Sequence, residues 1–357
     1  MRPTMGSGGA DNVTLRLLEM FDRDKYTVSL ALMKAEGELY SQIPNDVEVI
    51  DLQKSSLYFT VFPLMKLYDS LNYDIIYSTS SGMSIPVLLA KIISQRKEVT
   101  TVVSERSSLQ RRRNSSTKNK LIFRLKSWLT QQADYVAVVS DALASEVVKY
   151  TGVEKSKVLR CYNPIVPENL DELKSQEVDS ETYLYDIPKI VAIGRLEKVK
   201  NIGLLIDSFS ELEHKNAELH ILGVGSQKEA LLQKVSLLKL ADRVFFHGFQ
   251  DNVFKYLSKA SLYVLPSKFE GMPGALIQAM ACGCACIASD CYTGPAELID
   301  HRKNGLLFKI NDKETLTQHM NELLYNKDKA RELGEQAQRS VDQYLFRTAV
   351  ESYFSFL

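Results

Sequence analysis

Short β-rich runs alternate with longer helical ones along this chain, and the alternation occurs twice. Runs rich in branched and aromatic residues stand at "TVSLALM" (27–33), "VEVIDL" (47–52), "DIIYS" (74–78), "VTTVVS" (99–104) and "DYVAVVS" (134–140). Helical stretches at 57–71, 82–95 and 118–132 separate them. The rhythm returns with strand runs at 189–194, 217–223, 243–248, 261–267 and 284–289, and helical stretches near 201–213, 226–239, 273–282 and 312–325. Such a pattern predicts an α/β chain with two Rossmann-like, doubly wound domains, each a parallel sheet with crossover helices. Between the halves, 162–188 is polar, with prolines at 164, 167 and 188, and reads as a linker or hinge. The boundary falls near 165, giving domains 1–165 and 166–340. The remainder, 341–357, is read as a C-terminal helix whose apolar end docks back on the first domain.

A chain of 357 residues has room for two such cores. Its formal net charge of zero hides an asymmetry: residues 1–165 carry 22 Lys/Arg against 17 Asp/Glu, and the remainder 22 against 27. Only the basic first half is suited to an anionic surface. No apolar run approaches the ~18–20 residues of a spanning helix, and "MRPTMGSGG" lacks the apolar core of a signal peptide. Five cysteines, an odd number with four crowded into residues 282–291, fit a reduced intracellular protein. Cys282, Cys284 and Cys286 could suggest a metal site. With no His nearby, the alternation in "CGCACIAS" reads instead as a buried strand of small residues, and no metal is expected.

At the N-terminus, "GSGGADNVTLRLLEMF" reads as a Gly-rich turn opening a helix, with Val13, Leu17, Leu18 and Met20 on its apolar side. A strand normally precedes such a turn, but "MRPTM", five residues with a proline, is too short for a central strand. The first strand is therefore expected to be missing or vestigial, through a start placed downstream of the true one.

The second half sets polar groups at the carboxyl ends of predicted strands, where open α/β sheets bind ligands. In "IGRLEKVKN" (193–201), Arg195 offers a two-pronged donor for phosphate oxygens and Lys200 a mobile positive charge. "LGVGSQKEAL" (222–231) is a second glycine turn. "PSKFEGMPGAL" (266–276) is a third, with its helix starting near Pro273 so that free N–H groups face a phosphate. Each turn alone says little; their succession in this order says much more.

The blocks "GRLEKVKN", "GVGSQKEAL", "FHGFQDNV", "LPSKFEGMPGALIQAMACG", "SDCYTGPAELI" and "NGLLF" resemble, in order, the retaining glycosyltransferases of the GT-B fold, family GT4. "GSGGAD" and "YNPIV" resemble that family too. The resemblance implies two Rossmann-like domains facing a cleft. It also implies roles for individual residues. Arg195 and Lys200 match the pair that holds the donor's diphosphate and stabilises the leaving group. Glu270 matches the first acid of the family's E-x7-E motif and contacts the donor sugar. Gly194, Gly225, Gly271, Met272, Pro273 and Gly274 line the donor, and Phe249 and Gln250 cradle the base. Gly8 and Gly9 match the loop near the phosphates and acceptor.

Two departures bear on that reading. Gln278 stands where the second acid usually hydrogen-bonds the ribose. An amide offers one acceptor and two donors, so it still pairs, with donor binding weaker by about 1 kcal/mol. Many relatives also carry a His after the "VVS" strand, where this chain reads "SERSS". All five histidines (214, 220, 247, 301 and 319) lie in the second half, so no first-domain His can be a general base. The leaving phosphate can itself take the acceptor's proton. Glu105 and Arg106 then become candidates for orienting acceptor or phosphate, or are plain surface residues.

A basic stretch, 106–132, carries eight Lys/Arg and no acid. Leu121, Ile122, Leu125, Trp128 and Leu129 share one helical face beside Lys118, Lys120, Arg124 and Lys126, with Arg111, Arg112 and Arg113 just upstream. Such a helix suits an anionic membrane surface. A core-facing helix with a solvated basic side is compatible with that. Nucleic acid is not an expected partner, because no stacking aromatics accompany the charge. The reading is a cytoplasmic enzyme, peripheral on the membrane's cytoplasmic face. It moves a sugar from a nucleotide donor to a lipid-linked saccharide, with no cofactor. The alternative is a non-catalytic nucleotide-sugar binder or partner subunit; a third is another GT-B reaction, epimerisation or phosphorolysis. The "EGMPGALIQAMACG" block argues against both.

Overall fold

In the computed structural model the β-rich runs become strands β1 Ser29–Leu32, β2 Glu48–Asp51, β3 Ile75–Ser78, β4 Thr100–Glu105, β5 Tyr135–Val138, β6 Val158–Arg160, β7 Lys189–Ile193, β8 Glu218–Leu222, β9 Val244–Gly248, β10 Leu262–Leu265, β11 Ala285–Ser289 and β12 Leu306–Phe308. The structure describes all residues except 7, 71, 107, 110–116, 179–182, 184–186, 292 and 354–357, and of 117–121 the backbone alone. The chain divides into two compact units: Met1–Pro164 with the segment from Phe346 onward, and Ile165–Leu345.

The second unit holds a six-stranded sheet in the order β12-β11-β10-β7-β8-β9, with every pairing parallel. From β7 the chain winds outward through β8 and β9, then returns to β7's other side with β10. The loops after β7 and β10 thus flank the point where the winding reverses, the place where such sheets bind ligands. One face of the sheet buries Ile190, Ala192, Leu219, Ile221, Leu262, Val264 and Ile287 with Leu205, Phe209, Leu316 and Met320 from the helices Ile202–Ser210 and Lys313–Tyr325. Burying one large aliphatic side chain fully contributes about 1.5–3 kcal/mol.

Residues 165–178, expected to lie in a linker, pack within this unit. The helix Leu170–Ser175 lies against Phe254–Leu257, Val166 and Val178 are buried, and the Tyr183 hydroxyl donates to the Tyr256 carbonyl at 2.7 Å. Isolated anchors in a polar stretch carry no periodicity, which is why the pattern reads as linker.

In the first unit β3-β4-β5-β6 form one parallel sheet and β1-β2 another. Residues 1–3 join them. The Met1 amine donates to the Tyr77 carbonyl at 2.6 Å, and Thr79 N–H to that of Met1 at 3.2 Å. On the other side Arg2 N–H donates to the Ala31 carbonyl and Met33 N–H to that of Arg2, both at 3.0 Å. One bridge, Arg2 to Leu32, is all the ladder they form with β1. This is the vestigial first strand the sequence leads one to expect, too short to merge the two sheets. The Arg2 guanidinium, itself buried, pairs with Asp11 at 2.5 Å. At the other end of the chain, Val350 and Tyr353 enter the first unit's core with Val13, Leu17 and Val102.

On the β8–β9 strands of the second unit, His220 is fully buried, 2.9 Å from His247 and 3.1 Å from the Glu218 carboxylate. Burial, then His247 and Lys189, push its imidazole down to about 3; burial also lowers His247. The unfolded chain therefore binds these protons more readily. Stability from the cluster is complete above about 6.5 and declines as pH falls through that value towards the folded one. Urea unfolding of His220→Phe should show a shallower loss of stability between about pH 7 and pH 5 than the unchanged chain, whose slope gains up to ~1.4 kcal/mol per pH unit from one such proton.

Candidate active site

Three loop tips of the second unit are drawn together by backbone contacts. Gly194 N–H donates to the Leu222 carbonyl at 2.9 Å, Leu196 N–H to Val224 at 2.8 Å, and Gly223 N–H to Gly248 at 2.6 Å. Gly223 has φ +136°, and a Cβ there would stand 2.0 Å from the Gly194 oxygen. Gly225 is just as constrained, with 2.6 Å to the Leu196 amide nitrogen. Only glycine allows these approaches. Glu197, which sequence reasoning did not single out, braces the same floor: its carboxylate accepts from Ser226 N–H at 3.1 Å and from the Ser226 hydroxyl at 2.8 Å. Those bonds hold it below the usual carboxylate range.

The loop after β10 is tied in by Lys268 N–H, which donates to the Val199 carbonyl at 2.8 Å. That tie places Lys200 beside Glu270, Nζ to Oε1 2.6 Å, with both side chains largely buried. The lysine stem runs alongside Gly194, where a Cβ would lie at ordinary contact distance, 3.4 Å, from Lys200 Cε. Arg195 is exposed and makes no ion pair among the described residues. Thr293 donates to the Glu270 carbonyl. Gly294, at φ +88°, presses so closely on Gly271 that a Cβ would stand 2.6 Å from its oxygen. The Tyr263 hydroxyl is fully buried with no hydrogen-bond partner among the described residues. Burial, then the Glu270 charge, raise it well above the usual phenol range.

Pro273 caps the helix Gly274–Ala281, and Met272 is buried under the Tyr344 hydroxyl at 3.6 Å. Gln278 lies on this helix, half-buried, and no described residue pairs with its amide. Phe249 is 57% exposed, and Gln250 Nε2 donates to the His247 carbonyl at 2.8 Å. Lys200 and Glu270 therefore meet at the winding reversal, with Arg195 exposed on the same loop as Lys200. Phe249 and Gln250 stand at the tip of β9, two strands away in the same sheet.

In the first unit Gly8 caps the helix Gly9–Met20, its N–H donating to the Asp11 carboxylate at 3.2 Å, and both glycines are exposed. Glu105 is buried and forms an ion pair with Lys126. Neither is a surface residue. Arg106 is held by Asn163 Oδ1 at 2.9 Å and the Ser104 hydroxyl at 3.1 Å, with the Tyr77 and Tyr353 hydroxyls at 3.5 Å. No described carboxylate pairs with it. On the helix Thr117–Thr130 the expected faces are partly exchanged: Lys126 and Leu129 are buried, whereas Ile122, Leu125 and Trp128 are exposed, as is Arg124. Arg111, Arg112 and Arg113 and the side chains of Lys118, Lys120 and Leu121 lie outside what is described. Among the described residues no helix is long and apolar enough to cross a membrane.

With this geometry in place, two family models match: "Glycosyltransferase Family 4" over residues 7–169 and "Glycosyl transferases group 1" over 180–340. Between them they span most of the chain. The chain belongs to the family 4 glycosyltransferases. It is 27% identical, over 90% of its length and 88% of the relative's, to a Campylobacter jejuni enzyme named N-acetylgalactosamine-N,N'-diacetylbacillosaminyl-diphospho-undecaprenol 4-alpha-N-acetylgalactosaminyltransferase. It is 24% identical, over 94% and 92%, to the amylovoran biosynthesis glycosyltransferase AmsD of Erwinia amylovora. Among solved structures, Anabaena HepE in complex with UDP and glucose superposes with a TM-score of 0.80 at 19% identity, over 99% of this chain and 98% of that one. The fold of this glycosyltransferase is thus GT-B, with two parallel-sheet Rossmann-like halves.

The Glu105–Lys126 pair makes one of these placements measurable. Lys126→Met should leave the Glu105 carboxylate buried without its cation and cost about 3–5 kcal/mol in urea unfolding, with most of the loss recovered in Glu105→Leu/Lys126→Met.

Proposed function

We propose that this glycosyltransferase moves a hexosyl or N-acetylhexosaminyl group, with retention at the anomeric carbon, from a nucleotide-diphosphate sugar to a lipid-linked saccharide. The pathway is cell-envelope polysaccharide assembly, of the lipopolysaccharide or capsule kind. The observation that carries this reading is the Lys200–Glu270 pair at the winding reversal, on the same loop as Arg195, which makes no ion pair among the described residues. Glu270 orients the donor sugar's hydroxyls. Arg195 and Lys200 take up the diphosphate charge as the glycosidic bond breaks, with the N-terminal N–H groups of Gly274–Ala281 adding to it. In the ligand-free state Lys200 rests on Glu270; a bound diphosphate competes for it.

Transfer forms a bond between the acceptor hydroxyl oxygen and the anomeric carbon and breaks the bond from that carbon to the phosphate oxygen, on the same face. The acceptor's proton passes to the departing phosphate oxygen, which fits a first half without histidine. Side chains and helix N–H groups supply the counter-charge, and no metal is required. Phe249 and Gln250 hold the base, and Gln278 pairs with the ribose. Gly8 and Gly9 lie along the phosphates and acceptor, and Arg106, without a carboxylate partner, meets the acceptor's charge. The undecaprenol in the Campylobacter relative's name supports a lipid-linked acceptor. The basic stretch 106–132 supports a place on the cytoplasmic face of the membrane.

Thermal stabilisation by a panel of nucleotide sugars identifies the donor, and turnover of that donor with a pool of lipid-linked acceptors tests the reaction. Glu270→Gln and Arg195→Ala should each lower kcat by roughly a hundredfold or more; turnover unchanged in both would remove the assignment, and none in the unchanged chain would favour a non-catalytic binder. Gln278→Glu should tighten nucleoside-diphosphate binding by about 1 kcal/mol, roughly fivefold in Kd by titration calorimetry. Looser binding would contradict its place beside the ribose.

A further inference from the structure

The first unit exposes large apolar side chains on two neighbouring elements, one of which the basic stretch does not contain. The turn Leu57–Thr60 and the helix Val61–Asp69 that follows it leave Tyr58 77%, Phe59 67% and Phe62 69% exposed. The helix Thr117–Thr130 leaves Ile122, Leu125 and Trp128 exposed while turning Lys126 inward. The helix Ser84–Ile93 packs against both, so the three form one layer on the sheet. Six large apolar groups facing water on one layer are more than scattered surface residues explain.

The charge around them says what covers them. Residues 52–69, 79–97 and 106–133, which contain the three helices, carry two, three and eight Lys or Arg against a single acid, Asp69, whose carboxylate accepts from the Ser94 hydroxyl and the Gln95 N–H. Some of these cations are occupied within the fold: Lys91 pairs with Asp134, Arg96 with Glu98 and Lys126 with Glu105. Lys66 and Arg124 remain exposed beside the apolar groups. Aromatic rings amid an excess of positive charge suit the boundary of an anionic bilayer, where rings sit at headgroup depth and Lys and Arg meet lipid phosphates. A protein partner would need a comparably acidic face.

We propose that Tyr58, Phe59 and Phe62 form, with Ile122, Leu125 and Trp128, a two-element surface that inserts into the headgroup region of an anionic bilayer. It rests on the membrane-side reading above and deepens it. The helix Thr117–Thr130 does not merely lie on the lipid by charge; the Tyr58–Phe62 turn is a second anchor that fixes how the first unit meets the surface.

Trp128 is the chain's single tryptophan, so its emission reports on this surface alone. With vesicles of phosphatidylcholine and about one-third phosphatidylglycerol, the emission should move to the blue and be quenched by dibrominated lipid. Vesicles of phosphatidylcholine alone should bind far less. Phe59→Ser/Phe62→Ser should weaken co-sedimentation with the anionic vesicles by roughly tenfold or more, with an unchanged melting temperature because both side chains are exposed. Nucleoside-diphosphate affinity by titration calorimetry without vesicles should be the same in this variant, which separates failure of the surface from failure of the glycosyltransferase reading. No emission shift with anionic vesicles, or equal vesicle affinity for variant and unchanged chain, would overturn the proposal. So would a blue shift that follows self-association in the ultracentrifuge without lipid.

Discussion

The carboxyl edge of the second unit's sheet depends on backbone approaching backbone at distances no side chain tolerates. A Cβ on Gly223 would meet the Gly194 oxygen at 2.0 Å, and one on Gly294 would meet the Gly271 oxygen at 2.6 Å. With the backbone bonds from Gly223 to Gly248 and from Lys268 to Val199, these close approaches convert the loops after β7, β8, β9, β10 and β11 into one continuous floor. The functional side chains are placed by that floor rather than by their own loops. Lys200 and Glu270 are seventy residues apart, yet their pairing at 2.6 Å follows from a single backbone bond between Lys268 and Val199.

Electrostatics builds on that floor. Lys200 and Glu270 neutralise one another in the absence of ligand, so neither charge is stranded in a largely buried place. Arg195 stays in solvent, where its charge costs little and is available to an anion. The first unit handles its buried charges differently: Glu105 and Lys126 satisfy each other, and Arg106 is held by neutral oxygens, with no described carboxylate among its partners. Glu105 thus anchors the helix Thr117–Thr130 through its inward lysine, with Leu129 buried beside it and Ile122, Leu125 and Trp128 outward.

Much of the fold was legible. The repeating strand and helix periods reflect parallel strands buried on both faces, and the ten strand runs all fall on strands of the structure. Val158–Arg160 and Leu306–Phe308 escaped because three residues cannot display a period. The candidate donor site was legible in its glycine turns, since a glycine demanded by backbone contact leaves a fixed spacing. Glu197 carried no such mark: a brace between loops looks like any surface glutamate until its partner at Ser226 is seen. Glu105 looked equally like an exposed loop acid, and the helical pattern over 57–71 carried no mark of which face Tyr58, Phe59 and Phe62 would take.

Local periodicity and turn chemistry therefore determined by themselves that this chain forms two doubly wound α/β halves and where its Gly-rich loops fall. They act over a few residues, and a few residues suffice for a strand or a turn. Tertiary structure alone decided that Lys200 meets Glu270, that Lys126 turns inward to Glu105, and that one apolar stripe is split, with Leu129 buried and Ile122, Leu125 and Trp128 facing solvent. Those outcomes depend on which residues from distant segments compete for the same buried space, where a carboxylate left without a cation is costly.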